Sequence, residues 1–179
     1  MEGENSMDWQ TRKYISELAQ RVMDVYRIET PISDIEVIVS KLGGRIENRV
    51  NFDDLCEGSI RKSGENSFVI ALSPFQTEKR ATFTVAHELG HLFLHMGFML
   101  DKELWEKQNQ KVYTRFGTSE QEYQANEFAA ALLMPENVYK EVMDLNTEEN
   151  GINMSNVAKY FNVSVSAAIN RGKFLGYLA

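Results

Sequence analysis

The segment 82–95 constrains the fold of this chain more than any other stretch, because it combines a strongly apolar composition with a small cluster of polar groups. Residues four apart lie on one face of an α-helix, so His87 and His91 point the same way and Glu88 stands beside them. Two such imidazoles can bind one metal ion, and the adjacent carboxylate can take a proton from a metal-bound water. All 3 histidines of the chain fall in this segment, so the pattern predicts a metal centre on a central helix.

The composition is that of a globular protein with one well-buried core, since 43% of the 179 residues are hydrophobic and 25% are charged. A net charge of −7, with no long basic run, argues against neutralisation of nucleic-acid phosphates as the main task. The single cysteine, Cys56, excludes an intramolecular disulfide and a four-cysteine metal site. No segment has the pattern of a signal peptide, so we expect a cytoplasmic protein.

The hydrophobic periodicity predicts an α+β fold. Helices are expected over residues 9–26 and from Ser33 or Asp34 to the double glycine at 43–44. Three short strands over 45–50, 57–62 and 67–72 would form a small antiparallel or mixed three-stranded sheet, which packs on the histidine helix, 77–95. The stretch 97–118 shows no clean period.

The C-terminal part reads as helical. Helices are predicted over residues 119–134, 136–145, 155–161 and 165–175, with a polar loop at 146–153. The last two helices have the look of a helix-turn-helix. We therefore expect a disordered start at 1–8, one domain over 9–135, and a helical cap over 136–179 packed on the same domain.

The third metal ligand does not come from the histidine helix. A closely following third histidine would require glycine at Leu94 and histidine at Gly97, and the chain has neither. His95 lies one further turn along, but three successive turns of one straight helix cannot close around a tetrahedral ion. We interpret His95 as a packing residue or as a polar contact of a ligating histidine.

A carboxylate from helix 119–134 is the alternative, and helical geometry favours Glu122. At about 100° per residue, Glu122 falls at the edge of the buried stripe, whereas Glu120 and Glu127 point away. Asn126 lies one turn further on the same face, where it could hydrogen-bond a ligating histidine. Two plainer readings stay open: a hydrogen-bonded histidine pair without metal, and solvated glutamates. The buried stripe comprises Ala125, Phe128, Ala129, Leu132 and Leu133.

Three motifs of the chain occur together: His87-Glu88-Leu89-Gly90-His91, Glu122-Tyr123-Gln124-Ala125-Asn126 and Phe128-Ala129-Ala130-Ala131-Leu132-Leu133-Met134-Pro135. With these motifs the chain resembles the ImmA/IrrE family of metallopeptidases, and more widely the thermolysin-type gluzincins. The resemblance implies a zincin-like domain with one catalytic Zn²⁺, bound by His87, His91 and Glu122, with Glu88 as the general base.

The family further implies an intracellular protease that cleaves a helix-turn-helix repressor and so derepresses phage, mobile-element or stress genes. The alternative is a non-enzymatic regulator of the same fold, which binds a DNA-binding protein or acts in a toxin–antitoxin pair. In a gluzincin-like site the substrate would add a strand to the sheet, and 67–72 is the candidate edge. No residue identifies itself as the group that stabilises the transition state. Judged only by their positions in the sequence, the candidates are Tyr113, Tyr123 and Arg115.

Direct DNA binding by the C-terminal helix pair is not favoured. A DNA-reading helix needs basic side chains, and the last helix offers only Arg171 and Lys173 in an acidic chain. We expect a packed cap that holds the repressor or shields the site, on a monomer with no membrane contact.

Overall fold

The computed structural model describes residues 7–49, 57–108, 119–149 and 151–179, and its architecture is α+β, as predicted. The elements in chain order are α1 (Trp9–Tyr26), α2 (Ile35–Lys41), β1 (Gly44–Asn48), β2 (Gly58–Gly64), β3 (Ser67–Leu72), α3 (Glu78–Leu94), α4 (Lys102–Glu106), α5 (Ser119–Leu133), α6 (Glu136–Leu145), β4 (Thr147–Glu148), β5 (Gly151–Ile152), α7 (Met154–Tyr160) and α8 (Val165–Phe174).

Side-chain caps fix where several helices begin. Asp34 accepts hydrogen bonds from the first-turn amides of α2, and Thr77 and Ser164 do the same for α3 and α8. Such caps satisfy amides that have no partner inside the helix. Asp8 caps α1, while the rest of the predicted disordered start, residues 1–6, lies outside the described residues.

The three-stranded sheet is mixed, with the order β1-β3-β2. Strand β3 runs parallel to β1 and antiparallel to β2. The prediction that 67–72 is a sheet edge is therefore wrong, because β3 is the central strand. Its continuous apolar run explains the position: Phe68, Val69 and Ile70 are all buried, as expected for a strand covered on both faces.

Helix α3 lies at the centre of the fold, and α5 packs closely along it. Gly90 makes this approach possible. A Cβ at Gly90 would lie 2.9 Å from both the Cα and the carbonyl oxygen of Ala125. The absence of a side chain at Gly90 thus allows the two helix backbones to come this close.

The C-terminal helices attach to α5 through a buried ion pair, and here one prediction is wrong. Glu127 does not point to solvent but is only 6% exposed, and its Oε1 lies 2.8 Å from Nη1 of Arg171 on α8. Arg171 also donates from Nε to the carbonyl oxygen of Met134. The reason is that α5 also packs on α1, and Glu127 lies where Arg171 of α8 reaches it, a second contact that the single stripe did not include.

Two segments contain more regular structure than their sequences indicated. The stretch without a clean period holds α4, whose Trp105 is buried, and the polar loop 146–153 holds the short β4–β5 hairpin. None of the described helices is both long enough and apolar enough to cross a membrane.

Candidate metal centre

The two histidines of α3 and one glutamate of α5 meet in a small cluster. His87 and His91 are buried, with 4% and 2% exposure, and their Nε2 atoms are 3.1 Å apart. The Glu122 carboxylate closes the triangle, with Oε2 3.3 Å from Nε2 of His87 and Oε1 3.4 Å from Nε2 of His91. These three side chains form a group that could hold a metal ion.

The spacing of the donor atoms fits a tetrahedral ion. Ligand bonds of about 2.0–2.1 Å at tetrahedral angles place neighbouring donors about 3.3 Å apart. The three separations in the cluster, 3.1, 3.3 and 3.4 Å, lie close to this value. Two imidazoles and a carboxylate are also a donor set of catalytic zinc sites, in which the fourth position is left for water.

Hydrogen bonds on the outer side of each ring turn both Nε2 atoms toward the cluster. Nδ1 of His87 lies 2.9 Å from Oδ1 of Asn126, the contact that the sequence predicted. An amide oxygen only accepts, so Nδ1 carries the proton and Nε2 keeps its lone pair for a metal.

His91 is held by a chain of two hydrogen bonds. Its Nδ1 lies 2.9 Å from Nδ1 of His95, whose Nε2 lies 2.9 Å from Oε1 of Gln124. Because the Gln124 oxygen accepts, His95 carries its proton on Nε2 and accepts on Nδ1 from His91. His91 Nε2 therefore also keeps its lone pair. Gln124 had no signal in the sequence, since glutamine near the start of a helix is ordinarily a surface residue.

Burial favours the neutral form of His91 and His95. Desolvation, together with the neighbouring His87 and His95, lowers the pKa of His91 to about 3. Desolvation also lowers the pKa of His95, although its hydrogen bond with Gln124 opposes the shift. A neutral imidazole is the form that binds a metal ion.

Glu88 stands next to this cluster, where the outer strand β2 begins. The Glu88 side chain is 2% exposed. At Gly58, the first residue of β2, a Cβ would lie 2.5 Å from Cγ2 of Thr84 and 3.1 Å from Oε1 of Glu88. Gly58 therefore lets the strand approach the carboxylate closely.

Two side chains at or just before the first turn of α3 hold the beginning of β2 in place. Arg80 donates from Nε to the Glu57 carboxylate at 2.8 Å, and Gln76 donates to the Glu57 carbonyl oxygen at 2.5 Å. The contact of residues 57–58 with α3 was not predicted from the sequence. A glycine at a strand end was the available signal, because it marks close backbone approach.

Of the other residues named from the sequence, the structure describes Tyr123, whose side chain is 54% exposed. Tyr113, Arg115 and Cys56 lie outside the described residues.

The fold and the cluster define a class of protein, namely small α+β domains in which a His-Glu-x-x-His helix and an acidic residue of a second helix meet at a possible metal site. A peptidase family model, described as the IrrE N-terminal-like domain, matches residues 32–173. The chain belongs to this family, and the ImmA/IrrE resemblance of the sequence is confirmed.

A solved structure, a transcriptional regulator of Mycobacterium tuberculosis, shares the fold with a TM-score of 0.57 at 14% sequence identity. The similarity covers 90% of this chain and 50% of that chain, so this chain spans about half the length of the regulator. No curated protein matches this sequence.

Proposed function

We propose that the protein is a zinc-dependent metalloendopeptidase. The observation that carries the proposal is the triangle of donor atoms from His87, His91 and Glu122, whose edges fit a tetrahedral ion, with Glu88 beside it. Membership of a peptidase family supports the assignment.

The proposed mechanism assigns a task to each group. Zinc, when bound, would lower the pKa of a water to about 7 and polarise the scissile carbonyl. Glu88 accepts the proton of the attacking water and then passes it to the leaving amine. Asn126 and His95 hold the two ligating rings, with Nε2 toward the centre and the outer proton on Nδ1.

We place the substrate on the outer edge of β2 rather than on β3. An extended peptide there would add a fourth strand, with its backbone paired to that of β2. The start of this strand reaches Glu88 through Gly58, so a peptide bond at this end would lie near the catalytic carboxylate.

The protein substrate in this proposal is a helix-turn-helix repressor in the cytoplasm, whose cleavage derepresses phage, mobile-element or stress genes. The family supports this, and the negative charge of the chain suits a basic DNA-binding partner. The protease would act as a monomer. Direct DNA reading by α8 is not favoured, because Arg171 is buried in its ion pair.

The test compares the wild type with Glu88→Gln, which preserves shape but removes the base. Each protein is co-expressed with the repressor encoded beside its gene, and fragments are identified by mass spectrometry. We expect the variant to retain zinc and to lose cleavage. Glu78→Gln is the matched control, because Glu78 is an exposed glutamate of the same helix. This variant should cleave the repressor normally.

Two results would contradict the proposal. Cleavage by Glu88→Gln would refute the assigned mechanism. Full derepression by Glu88→Gln, without any cleavage, would instead support the non-enzymatic regulator of the same fold.

A further inference from the structure

A cavity of about 890 Å³ opens beside the metal centre, between the first turns of α3, the middle of α5 and helix α8. Asn126 belongs to both places, since its side chain lines the cavity and its Oδ1 holds the His87 ring. Tyr123, the neighbour of Glu122 in sequence, lines the cavity as well. The cavity therefore adjoins the metal centre through Asn126.

The charged groups around the cavity are mostly cationic, with four basic side chains and one carboxylate, Glu127. Two of the cations are already neutralised by carboxylates: Arg171 pairs with Glu127, and Arg80 pairs with Glu57. The other two cations are Arg12 and Lys79.

Arg12 and Lys79 form no salt bridge with any carboxylate in the described part of the chain. The Arg12 guanidinium lies 4.5 Å from the Phe174 ring centroid, and its buried Nε has no hydrogen-bond partner among the described residues. Among the residues that the structure describes, Lys79 donates to one carbonyl oxygen, that of Val163, at 3.1 Å. The charge of Arg12 helps to lower the pKa of Glu127, so that carboxylate is near it, whereas an anion that enters the cavity would meet Arg12 and Lys79 together.

Two further features shape what this cavity can hold. Helices α3 and α8 both begin at its wall, at Thr77 and Ser164, and the amino ends of helices favour negative charge. The remaining wall is mainly apolar and includes Phe83, Val163 and Phe174. The chemistry fits an acidic group carried on an apolar segment.

We infer that this cavity is a specificity pocket, which receives an aspartate or glutamate of the substrate together with an apolar neighbour. The inference rests on the proposed peptidase function and adds the class of sequence that the enzyme selects. Because a basic residue would meet Arg12 and Lys79, the pocket also rejects lysine and arginine at the same position.

The test uses the zinc-loaded protein and a randomised peptide library, with cleavage sites read by mass spectrometry. Products formed equally by Glu88→Gln are subtracted as background. We expect acidic residues at one fixed distance from the scissile bond, preferred over basic ones by about ten-fold.

Substitutions of the two cations then test whether the cavity causes the acidic preference. Lys79 is exposed, so Lys79→Glu should fold and should shift the same peptide position toward lysine and arginine. Arg12→Gln removes the positive charge but keeps a polar end group, so it should weaken the acidic preference without reversing it. Lys102→Glu makes the same charge change at an exposed residue of α4 and should leave the preference intact.

The outcomes separate the two proposals. Wild-type cleavage without an acidic preference would overturn the pocket and leave the peptidase standing. An acidic preference that both Lys79→Glu and Arg12→Gln leave unaltered would also overturn it. If the wild type cleaves nothing beyond the Glu88→Gln background in the library or in the repressor, the peptidase proposal fails and the pocket fails with it.

Discussion

Replacement of Gly90 by alanine should damage the metal centre far more than the stability of the fold. The added methyl would lie 2.9 Å from the Cα and carbonyl oxygen of Ala125 and 3.2 Å from Cβ of Phe128. Ordinary contact begins at 3.4 Å, so α5 must move away from α3 by about 0.5 Å or more.

The effect on stability is a difference between two opposing contributions. Alanine stabilises a helix interior by about 1 kcal/mol relative to glycine, whereas overpacking of a close contact costs about 1–3 kcal/mol. The free energy of unfolding should therefore fall by roughly 0–2 kcal/mol.

The effect on zinc binding should be larger, because the two helices carry different members of the proposed ligand set. His87 and His91 move with α3, and Glu122 moves with α5. Ligand distances at a metal site tolerate only about 0.2 Å, so a shift of 0.5 Å should lower zinc affinity at least ten-fold.

Urea unfolding of the metal-free protein gives the free energy of unfolding, and competition with a chromophoric chelator gives the zinc affinity. Tyr139→Phe is the control, since it removes the hydrogen bond from the Tyr139 hydroxyl to the carbonyl oxygen of Ala168. It should cost about 1 kcal/mol while leaving zinc affinity unchanged. Wild-type zinc affinity in Gly90→Ala would refute the argument that this glycine sets the ligand geometry.

Two further predictions concern the groups around the centre. His95→Ala removes the acceptor that holds His91, so zinc affinity measured by the same competition should fall by about 10–100-fold; an unchanged affinity would show that the ring needs no such support. Burial raises the pKa of Glu127 to about 7, although Arg171 opposes the shift. The folded protein thus retains a proton between about pH 4.5 and 7 that the unfolded chain releases. This group's contribution to stability should accordingly decline as pH rises through that window, and urea unfolding of Glu127→Gln should lack this decline; an identical pH dependence in the variant and the wild type would contradict the assignment.

The sequence was sufficient for the residues whose positions follow from one helix period. His87, Glu88 and His91 share a helix, so their relative directions depend only on local geometry. Glu122 and Asn126 followed from the stripe of α5, because the face that carries this stripe packs on α3.

Long-range packing decided the features that the sequence did not reveal. The parallel pairing of β1 with β3 joins residues separated by β2, and no local pattern distinguishes it from a simple antiparallel order. Glu127 was misplaced for a related reason, since a stripe describes one buried face and α5 has two. The contact of His95 with Gln124 likewise depends on how closely α3 and α5 approach.

The Glu127–Arg171 pair joins the two parts of the chain on either side of the predicted boundary at residues 135–136. Glu127 lies on the helix that supplies Glu122, and Arg171 lies on the helix that closes the C-terminal cap. Above about pH 7, where Glu127 is ionised, a chain truncated after residue 135 would leave this carboxylate without its cation, and breaking a buried pair in this way costs about 3–5 kcal/mol. The C-terminal cap is thus coupled to the metal centre. A partner that separates α8 from α5 would destabilise the helix that carries Glu122, one of the three proposed ligands.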